Sequence, residues 1–308
     1  MDAPPSPFAA PGWTTRFAPA PTGWLHLGHA GAAAWVWGAA RAFGGRVLLR
    51  VEDHDRIRSR PQYARALEED LAWLGCEPDA PPVRQSERDG LYREALARLA
   101  GRDLVYVCDC SRRRIRERAP GGDAEELRYP GTCRDRGLAE AASPIRRIRL
   151  ERTEVVFADL LLGERRQVPA DQCGDLAARD RDGQWTYQFA VAVDDLGQGV
   201  DVVIRGEDLL ASTGRQVQLA QLLGRARPPR FLHHPLIRRA DGAKLSKSGR
   251  DTGLRELRAA GWSAERVLGA AAAAVGLLAA PEPLPVPALA GLVRAALARG
   301  GAAKPAAS

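Results

Sequence analysis

The chain lacks any apolar run long enough to cross a membrane. Its longest, Val267 to Ala280, holds about 14 residues, against the roughly 18 that a spanning helix needs. The N-terminus, Met1-Asp-Ala-Pro-Pro5, lacks the basic region of a secretory leader. Cysteine is scarce and odd in number: five, two of them in Cys108-Asp-Cys110. The pattern reads as a reducing compartment with a candidate metal site rather than as secreted staples. Membrane, secreted and fibrous classes are therefore excluded; a cytoplasmic location and no membrane partner are expected. Lysine is nearly missing: three, Lys244, Lys247 and Lys304, among 45 basic residues. Two of them lie within four residues, in Lys244-Leu-Ser-Lys-Ser248. A compact ammonium suits a phosphate where a planar guanidinium does not.

What is there is ordinary for a globular protein: 308 residues, 45% apolar and 27% charged. That length means one large or two modest domains. The net charge of +7 permits an RNA partner.

Residues 1–13 are rich in proline and alanine and read as a disordered lead. Thr14 to Ala18 reads as a strand, which Pro19-Ala-Pro-Thr-Gly23 cannot continue. A helix is predicted over Leu27 to Phe43, closed by Gly44-Gly45, and a buried-type strand over Arg46 to Val51. Strand, helix and strand make a βαβ unit and imply a parallel sheet. Helices are predicted over Pro61 to Leu74 and Arg88 to Ala100, and a strand over Leu104 to Val107. Cys108 to Arg136 is polar and arginine-rich, an excursion from the sheet. Short antiparallel strands are expected at Ile145 to Leu150, Val155 to Leu160 and Arg165 to Val168. Val200 to Ile204 is again a buried strand, followed by a helix from Ser212 or Thr213 to Leu223. The expected division is 14–107 and 184–250 as halves of a catalytic domain, 108–183 as an inserted subdomain, and 251–308 as a short region of one or two helices.

Two constellations carry chemistry. In Arg16-Phe-Ala-Pro-Ala-Pro-Thr-Gly-Trp-Leu-His-Leu-Gly-His29, His26 and His29 start a helix at the carboxyl edge of a first strand. Spaced three apart, they face the same way. The helix N-terminus attracts anions, and Gly28 lets a phosphate or an adenine approach the backbone. Histidines placed there can donate to a phosphate whose charge grows in a transition state. The second constellation is Lys244 to Ser248, whose ammonium groups can hold the β- and γ-phosphates of ATP. Taken singly, each also reads as a helix cap or a solvated basic loop.

Together, the His-x-Gly-His and the Lys-Leu-Ser-Lys-Ser about 215 residues later resemble the signature motifs of class I aminoacyl-tRNA synthetases. Arg16-Phe-Ala-Pro-Ala-Pro-Thr-Gly23 and Val51-Glu-Asp-His-Asp55 resemble the glutamyl branch. The resemblance covers Thr14 to Arg250. The chain departs from complete glutamyl-tRNA synthetases in the short stretch after the lysine loop, where no anticodon-binding domain is expected. It also departs in a Cys-x-Cys … Tyr-x-x-x-Cys pattern. Both departures resemble the glutamyl-queuosine tRNA(Asp) synthetases, a family of truncated paralogues.

The resemblance implies a class I synthetase-type Rossmann α/β fold with a parallel sheet and an inserted zinc-containing, acceptor-type subdomain. It implies that Arg16, Glu52, Tyr187 and Arg205 line a glutamate site: forks for two carboxylates, a partner for the ammonium, and a closing hydroxyl. It implies ATP contacts from His26, Gly28, His29, Lys244, Ser246 and Lys247, with Mg2+ on the nucleotide, and a structural zinc on Cys108, Cys110, Tyr129 and Cys133. Catalysis falls to His26, His29, Lys244 and Lys247. The implied partners are ATP, L-glutamate and tRNA(Asp) bearing queuosine, whose cyclopentene ring offers the acceptor hydroxyl. A truncated glutamyl-tRNA synthetase, a nucleotidylyltransferase and a silent RNA-binding module are the alternatives. Cys76 and Cys173 read as plain thiols, Arg112 to Arg118 as a phosphate-contacting surface. Asp194-Asp195 reads more as the solvated end of a strand than as a magnesium pair and receives no role.

Overall fold

The computed structural model describes residues 8, 12–118, 127–237 and 253–300. Its first unit is β1 (Thr14–Phe17), α1 (Leu27–Phe43) and β2 (Arg46–Val51), the predicted βαβ unit. β1 and β2 pair in parallel from Thr14 against Arg46 to Phe17 against Leu49. α1 ends at Gly44, whose φ of 66° is the left-handed cap that a glycine supplies without strain. α2 (Pro61–Trp73) returns the chain to β3 (Val83–Arg84), which extends the sheet in parallel beside β2. α3 (Asp89–Ala100) follows.

The chain then leaves this sheet. β4 (Val105–Val107), α4 (Arg112–Arg118), β5 (Arg146–Ile148), β6 (Val155–Asp159), β7 (Gly163–Gln167), α5 (Pro169–Gln172) and β8 (Leu176–Arg179) come next. β4, β5 and β8 form a small antiparallel sheet. Two elements pair across the expected division. β4, placed within 14–107, pairs with the excursion. The β6–β7 hairpin, placed within 108–183, joins the catalytic sheet, where β6 runs parallel to β10 (Arg230–His234). The alternation of buried Val155, Phe157 and Asp159 with outward Val156 and Ala158 suits a strand with one face on the core.

α6 (Tyr187–Gly197), β9 (Val202–Gly206) and α7 (Thr213–Leu222) precede β10, which pairs in parallel with β9. Asp201 N donates to Thr14 O at 2.8 Å, so β9 and β1 adjoin and the two parallel halves lie edge to edge. Among its described residues the C-terminal region holds three α-helices, where one or two were expected: α8 (Leu254–Ala259), α9 (Ala264–Ala274) and α10 (Leu289–Gly300). Gly261 and a capping Ser263, whose hydroxyl accepts from Arg266 N, divide α8 from α9.

α1, α9 and α10 cover one face of the sheet over a core that includes Trp35, Trp37, Leu49, Ile204, Leu232 and Val293. On the other face Val217 of α7 packs on Phe157, Val203 and Phe231 of the sheet, and α3, α6 and α7 enclose a second core with the small antiparallel sheet, around Phe189, Trp185, Ile148 and Leu219. This is a doubly wound α/β fold. Phe8 and Trp13 are buried and stacked with centroids 4.6 Å apart, so these two members of the expected lead are packed on the body. No helix among the described residues is long and apolar enough to cross a membrane.

Asp70 on α2 is buried, and its Oδ2 has no hydrogen-bond partner. Burial, helped by Glu69 and Glu256 and opposed by Arg255 and Arg258, pushes its carboxyl up to about 6. The folded state then keeps a proton that the unfolded chain releases near 3.8, so this group costs stability as pH rises between those values. In urea unfolding, Asp70→Asn should gain about 1–3 kcal/mol on the wild type between pH 4 and pH 8. A difference that does not change with pH would contradict this.

Candidate active site

The site forms where β1 hands over to α1. His26 is the N-cap, in extended backbone. Its Nδ1 accepts from Gly28 N at 3.1 Å, and His29 Nδ1 accepts from His26 N at 3.2 Å. The two histidines thus form a reciprocal capping box with rings 4.1 Å apart. A ring nitrogen that accepts from an amide carries no proton. Each neutral imidazole therefore holds its proton on Nε2, as a donor. Gly28 is required by this geometry, since a Cβ there would lie 2.8 Å from the His26 ring.

A cavity of about 700 Å³ opens beside this cap, between the carboxyl ends of β1 and β9. That crevice, where the two halves of the sheet meet, is the expected ligand position in such a sheet. Arg16, Glu52, Tyr187 and Arg205 all line it, with Gly28 and His29, and the structure brings these sequence-predicted residues together. His26 stands behind them at the cap.

A buried ion network holds the first two. Arg16 Nε donates to Asp195 Oδ1 at 3.0 Å, and Arg50 donates to the same oxygen at 2.7 Å. Arg50 also donates to Glu52 Oε1 at 3.2 Å. Arg50 is fully buried. Burial works against its charge, but Asp195, Glu52 and Asp194 outweigh it and hold the guanidinium more firmly protonated than usual. Burial raises the Glu52 carboxyl, opposed by Arg50, Arg16 and His54. Burial would raise Asp195 too, but Arg16 and Arg50 prevail and hold it below the usual range. Asp194 accepts from Arg88 at 2.6 Å, Gln85 at 2.7 Å and Tyr92 at 2.8 Å. The pair read as a solvated strand end is thus buried in α6, with no room for a magnesium role. Its apolar flanks, Phe189 to Val193, were the available signal.

Arg205 is held differently. Its donors go to His233 Nε2 at 3.1 Å, Gln216 Oε1 at 2.6 Å and Thr213 Oγ1 at 2.9 Å, all neutral acceptors. Among the described residues no carboxylate lies within ion-pair distance of it. His233 in turn bonds Asp159 Oδ2 through Nδ1 at 2.6 Å. The proton sits on Nδ1, Nε2 accepts, and Asp159 of the β6 hairpin orients the Arg205 fork through one imidazole. Burial lowers the affinity of Arg205 for its proton, against the pull of nearby Tyr187. A buried cation without a carboxylate favours an anionic ligand. Burial likewise raises the Tyr187 phenol, which keeps it a donor.

Lys244, Ser246 and Lys247 lie outside the described residues. The flanks of their segment reach the site: Ile237 lines the cavity, and Gly253 forms a bridge with His26. Leu254 N donates to Leu25 O at 2.8 Å.

Cys108, Cys110 and Cys133 are buried, and their sulfurs lie within 4.8 Å of one another. Tyr129 Oη lies 3.4 Å from Cys108 Sγ and accepts from Cys133 N at 2.8 Å. Arg147 stacks over the Tyr129 ring at 3.6 Å and donates to Cys108 Sγ at 3.3 Å. Burial pushes the Cys110 thiol up to about 12, a cost that a bound cation reverses. Three sulfurs and one oxygen suit a soft, tetrahedral divalent ion. Gly174 secures the geometry: at φ 67° it lies so close that a Cβ would stand 2.1 Å from Tyr129 O.

Arg50, Asp159, Asp194, Asp195 and His233 were not singled out as site residues by sequence. Arg50 is a charge inside the apolar Val47-Leu-Leu-Arg-Val51, the one local sign that it is buried and paired.

Residues 13–269 match the family model for the catalytic domain of class I tRNA synthetases (E and Q). The chain is 45% identical over 287 residues to a glutamyl-Q tRNA(Asp) synthetase of Symbiobacterium thermophilum, covering 87% of this chain and 88% of that one. It is 41% identical to the protein of that name from Nitratidesulfovibrio vulgaris, covering 85% and 86%. Among solved structures it resembles the glutamate–tRNA synthetase of Elizabethkingia anophelis, with a TM-score of 0.72 at 27% identity. That match covers 85% of this chain and 61% of the synthetase, so the chain spans less than two thirds of its length.

Asp195→Asn should leave Arg16 without a carboxylate in ion-pair distance among the described residues, and Arg50 with Glu52 and Asp194 alone. Breaking a buried pair of this kind costs roughly 3–5 kcal/mol. Urea unfolding at pH 7 measures it, and a loss under about 1 kcal/mol would contradict the assignment of this network.

Proposed function

The chain belongs to the glutamyl-Q tRNA(Asp) synthetases, within the class I synthetases for glutamate and glutamine; on that premise we propose that it activates L-glutamate with ATP and transfers it to queuosine in tRNA(Asp). The observation that carries the reading is that Arg16, Glu52, Tyr187 and Arg205 line one cavity together beside the histidine cap. One carboxylate of glutamate takes the Arg205 fork, which has only neutral partners. The other lies near Arg16, and Glu52 receives the ammonium.

The glutamate α-carboxylate oxygen attacks the α-phosphorus of ATP. The bond to the bridging oxygen breaks, and pyrophosphate leaves with its electron pair. Little proton transfer is required, so positioning and charge stabilisation carry the acceleration. His26 and His29, as Nε2–H donors, serve the α-phosphate. Lys244 and Lys247, with Ser246, serve the departing phosphates. Mg2+ bound with the nucleotide would neutralise phosphate charge there. In the second step a hydroxyl of the queuosine ring attacks the mixed anhydride, and AMP leaves. Zinc is the ion we assign to Cys108, Cys110, Tyr129 and Cys133. There it would brace the polar excursion, and Arg147 and Arg136 would balance the thiolate charge. The exposed arginines of α4 give this part of the surface an affinity for phosphate.

Two measurements test the reading. Glutamate-dependent ATP–pyrophosphate exchange should proceed without RNA, because all four pocket residues stand assembled in its absence. Transfer should require queuosine-bearing tRNA(Asp) and survive periodate oxidation of its terminal ribose. Transfer to queuosine-free tRNA, abolished by that oxidation, would make this a short glutamyl-tRNA synthetase instead. A strict need for tRNA in the exchange would contradict the preassembled pocket.

A further inference from the structure

The loop between β2 and α2 has no part in the chemistry above, yet it carries an unusual residue. Ile57 at its tip is 60% exposed, and among the described residues the only other exposed large hydrophobic is Val156. The exposure is not slack. Asp55 Oδ1 accepts from the amides of Ile57 and Arg58 at 3.1 Å each, and Ser59 N donates to Asp55 O at 3.0 Å. Arg60 N donates to Pro21 O at 3.1 Å, and its guanidinium to Ile57 O at 2.6 Å. The backbone holds Ile57 out in water.

The flanking charges are also unspent. Arg56 and Arg60 are exposed and contact only backbone carbonyls with their guanidiniums: Ser86 O for one, Ile57 O and Ser59 O for the other. Neither lies within ion-pair distance of a carboxylate among the described residues. Three hollows meet here. Arg58 lines the main cavity. Arg56 lines one of about 260 Å³ with Arg93, Arg179 and Trp185, in which Arg179 stacks on Trp185 at 3.9 Å. Arg56 and Arg60 share another of about 340 Å³ with Pro21 and Arg84.

We propose that loop 53–60 seats the single-stranded RNA segment that carries the acceptor: a nucleobase packs against Ile57, Arg56 and Arg60 hold the flanking phosphates, and the neighbouring nucleotide enters the main cavity. This rests on the functional reading above and names where its RNA lies. An apolar wedge between two uncompensated guanidiniums matches alternating flat bases and phosphates. Both side hollows also hold carboxylates, Asp89 and Asp182 in one and Asp53 in the other, and Arg93, Arg179 and Arg84 are ion-paired; the positive charge without a carboxylate partner among the described residues is that of Arg56 and Arg60, which suits two successive phosphates.

The test uses the full chain with two variants, Ile57→Ser and the double variant Arg56→Ala/Arg60→Ala. Both sites are exposed, so folding should be preserved, and RNA-free glutamate exchange should stay within about twofold of wild type, since neither touches the pocket. Transfer to queuosine-bearing tRNA(Asp) should fall roughly 10- to 100-fold in kcat/KM for Ile57→Ser, the loss of one stacked base. The double variant should lose at least about tenfold, and its log–log salt slope should shrink by about 1 to 1.5. Wild-type transfer in either variant would overturn the proposal, as would a parallel fall in exchange, which would assign the loop to the glutamate site. Failure of the wild type to transfer to any tRNA would instead defeat the functional reading, and this one with it.

Discussion

The β1 and β2 side of the site is organised around Asp195. One of its oxygens receives two guanidiniums, Arg16 at 3.0 Å and Arg50 at 2.7 Å, at a place where water is excluded. Burying one cation alone would cost several kcal/mol. The network meets that cost by placing Asp194, Asp195 and Glu52 against Arg50 and Arg16. Arg50 never reaches the cavity. Its work is to hold Glu52 and Asp195 in place, so that Arg16 and Glu52 present opposite charges to it at fixed positions. Arg205 completes the set from the other half of the sheet, aimed by His233 and Asp159.

The arrangement is polarised in a useful way. The β1 and β2 side offers a cation and an anion that already compensate each other through Asp195 and Arg50. The β9 side offers a cation with neutral partners only. A zwitterion with an additional carboxylate fills that imbalance. The β6 hairpin, which lies inside the excursion in sequence, matters to the pocket because it delivers Asp159 to β10.

Much of the frame was legible. α1 spans Leu27 to Phe43 as predicted, because Pro19 to Gly23 and Gly44-Gly45 punctuate it unambiguously. The four pocket residues of the glutamyl-type resemblance line one cavity. What could not be read was pairing over distance. Arg50 and Asp195 are 145 positions apart, and nothing local shows that each cancels the other. For the same reason Asp194-Asp195 looked like a solvated strand end, although it is buried within a helix. The β6–β7 hairpin has the alternation of any half-buried antiparallel pair, and only its parallel contact with β10 assigns it to the main sheet. The capping box was half legible: spacing put His26 and His29 on one side, but the protonated nitrogen follows only from the distances to Gly28 N and His26 N.

In the function we propose, the guanidiniums of Arg16 and Arg205 and the carboxylate of Glu52 select a dicarboxylic amino acid by charge. Amino-acid-dependent ATP–pyrophosphate exchange with glutamate and with glutamine, which match in length and differ by one charge, tests it most directly. A neutral amide facing Arg205 forfeits a charge-assisted pair and leaves a buried cation uncompensated. Glutamate should exceed glutamine in kcat/KM by roughly 100-fold or more. Equal exchange with the two amino acids would contradict the account.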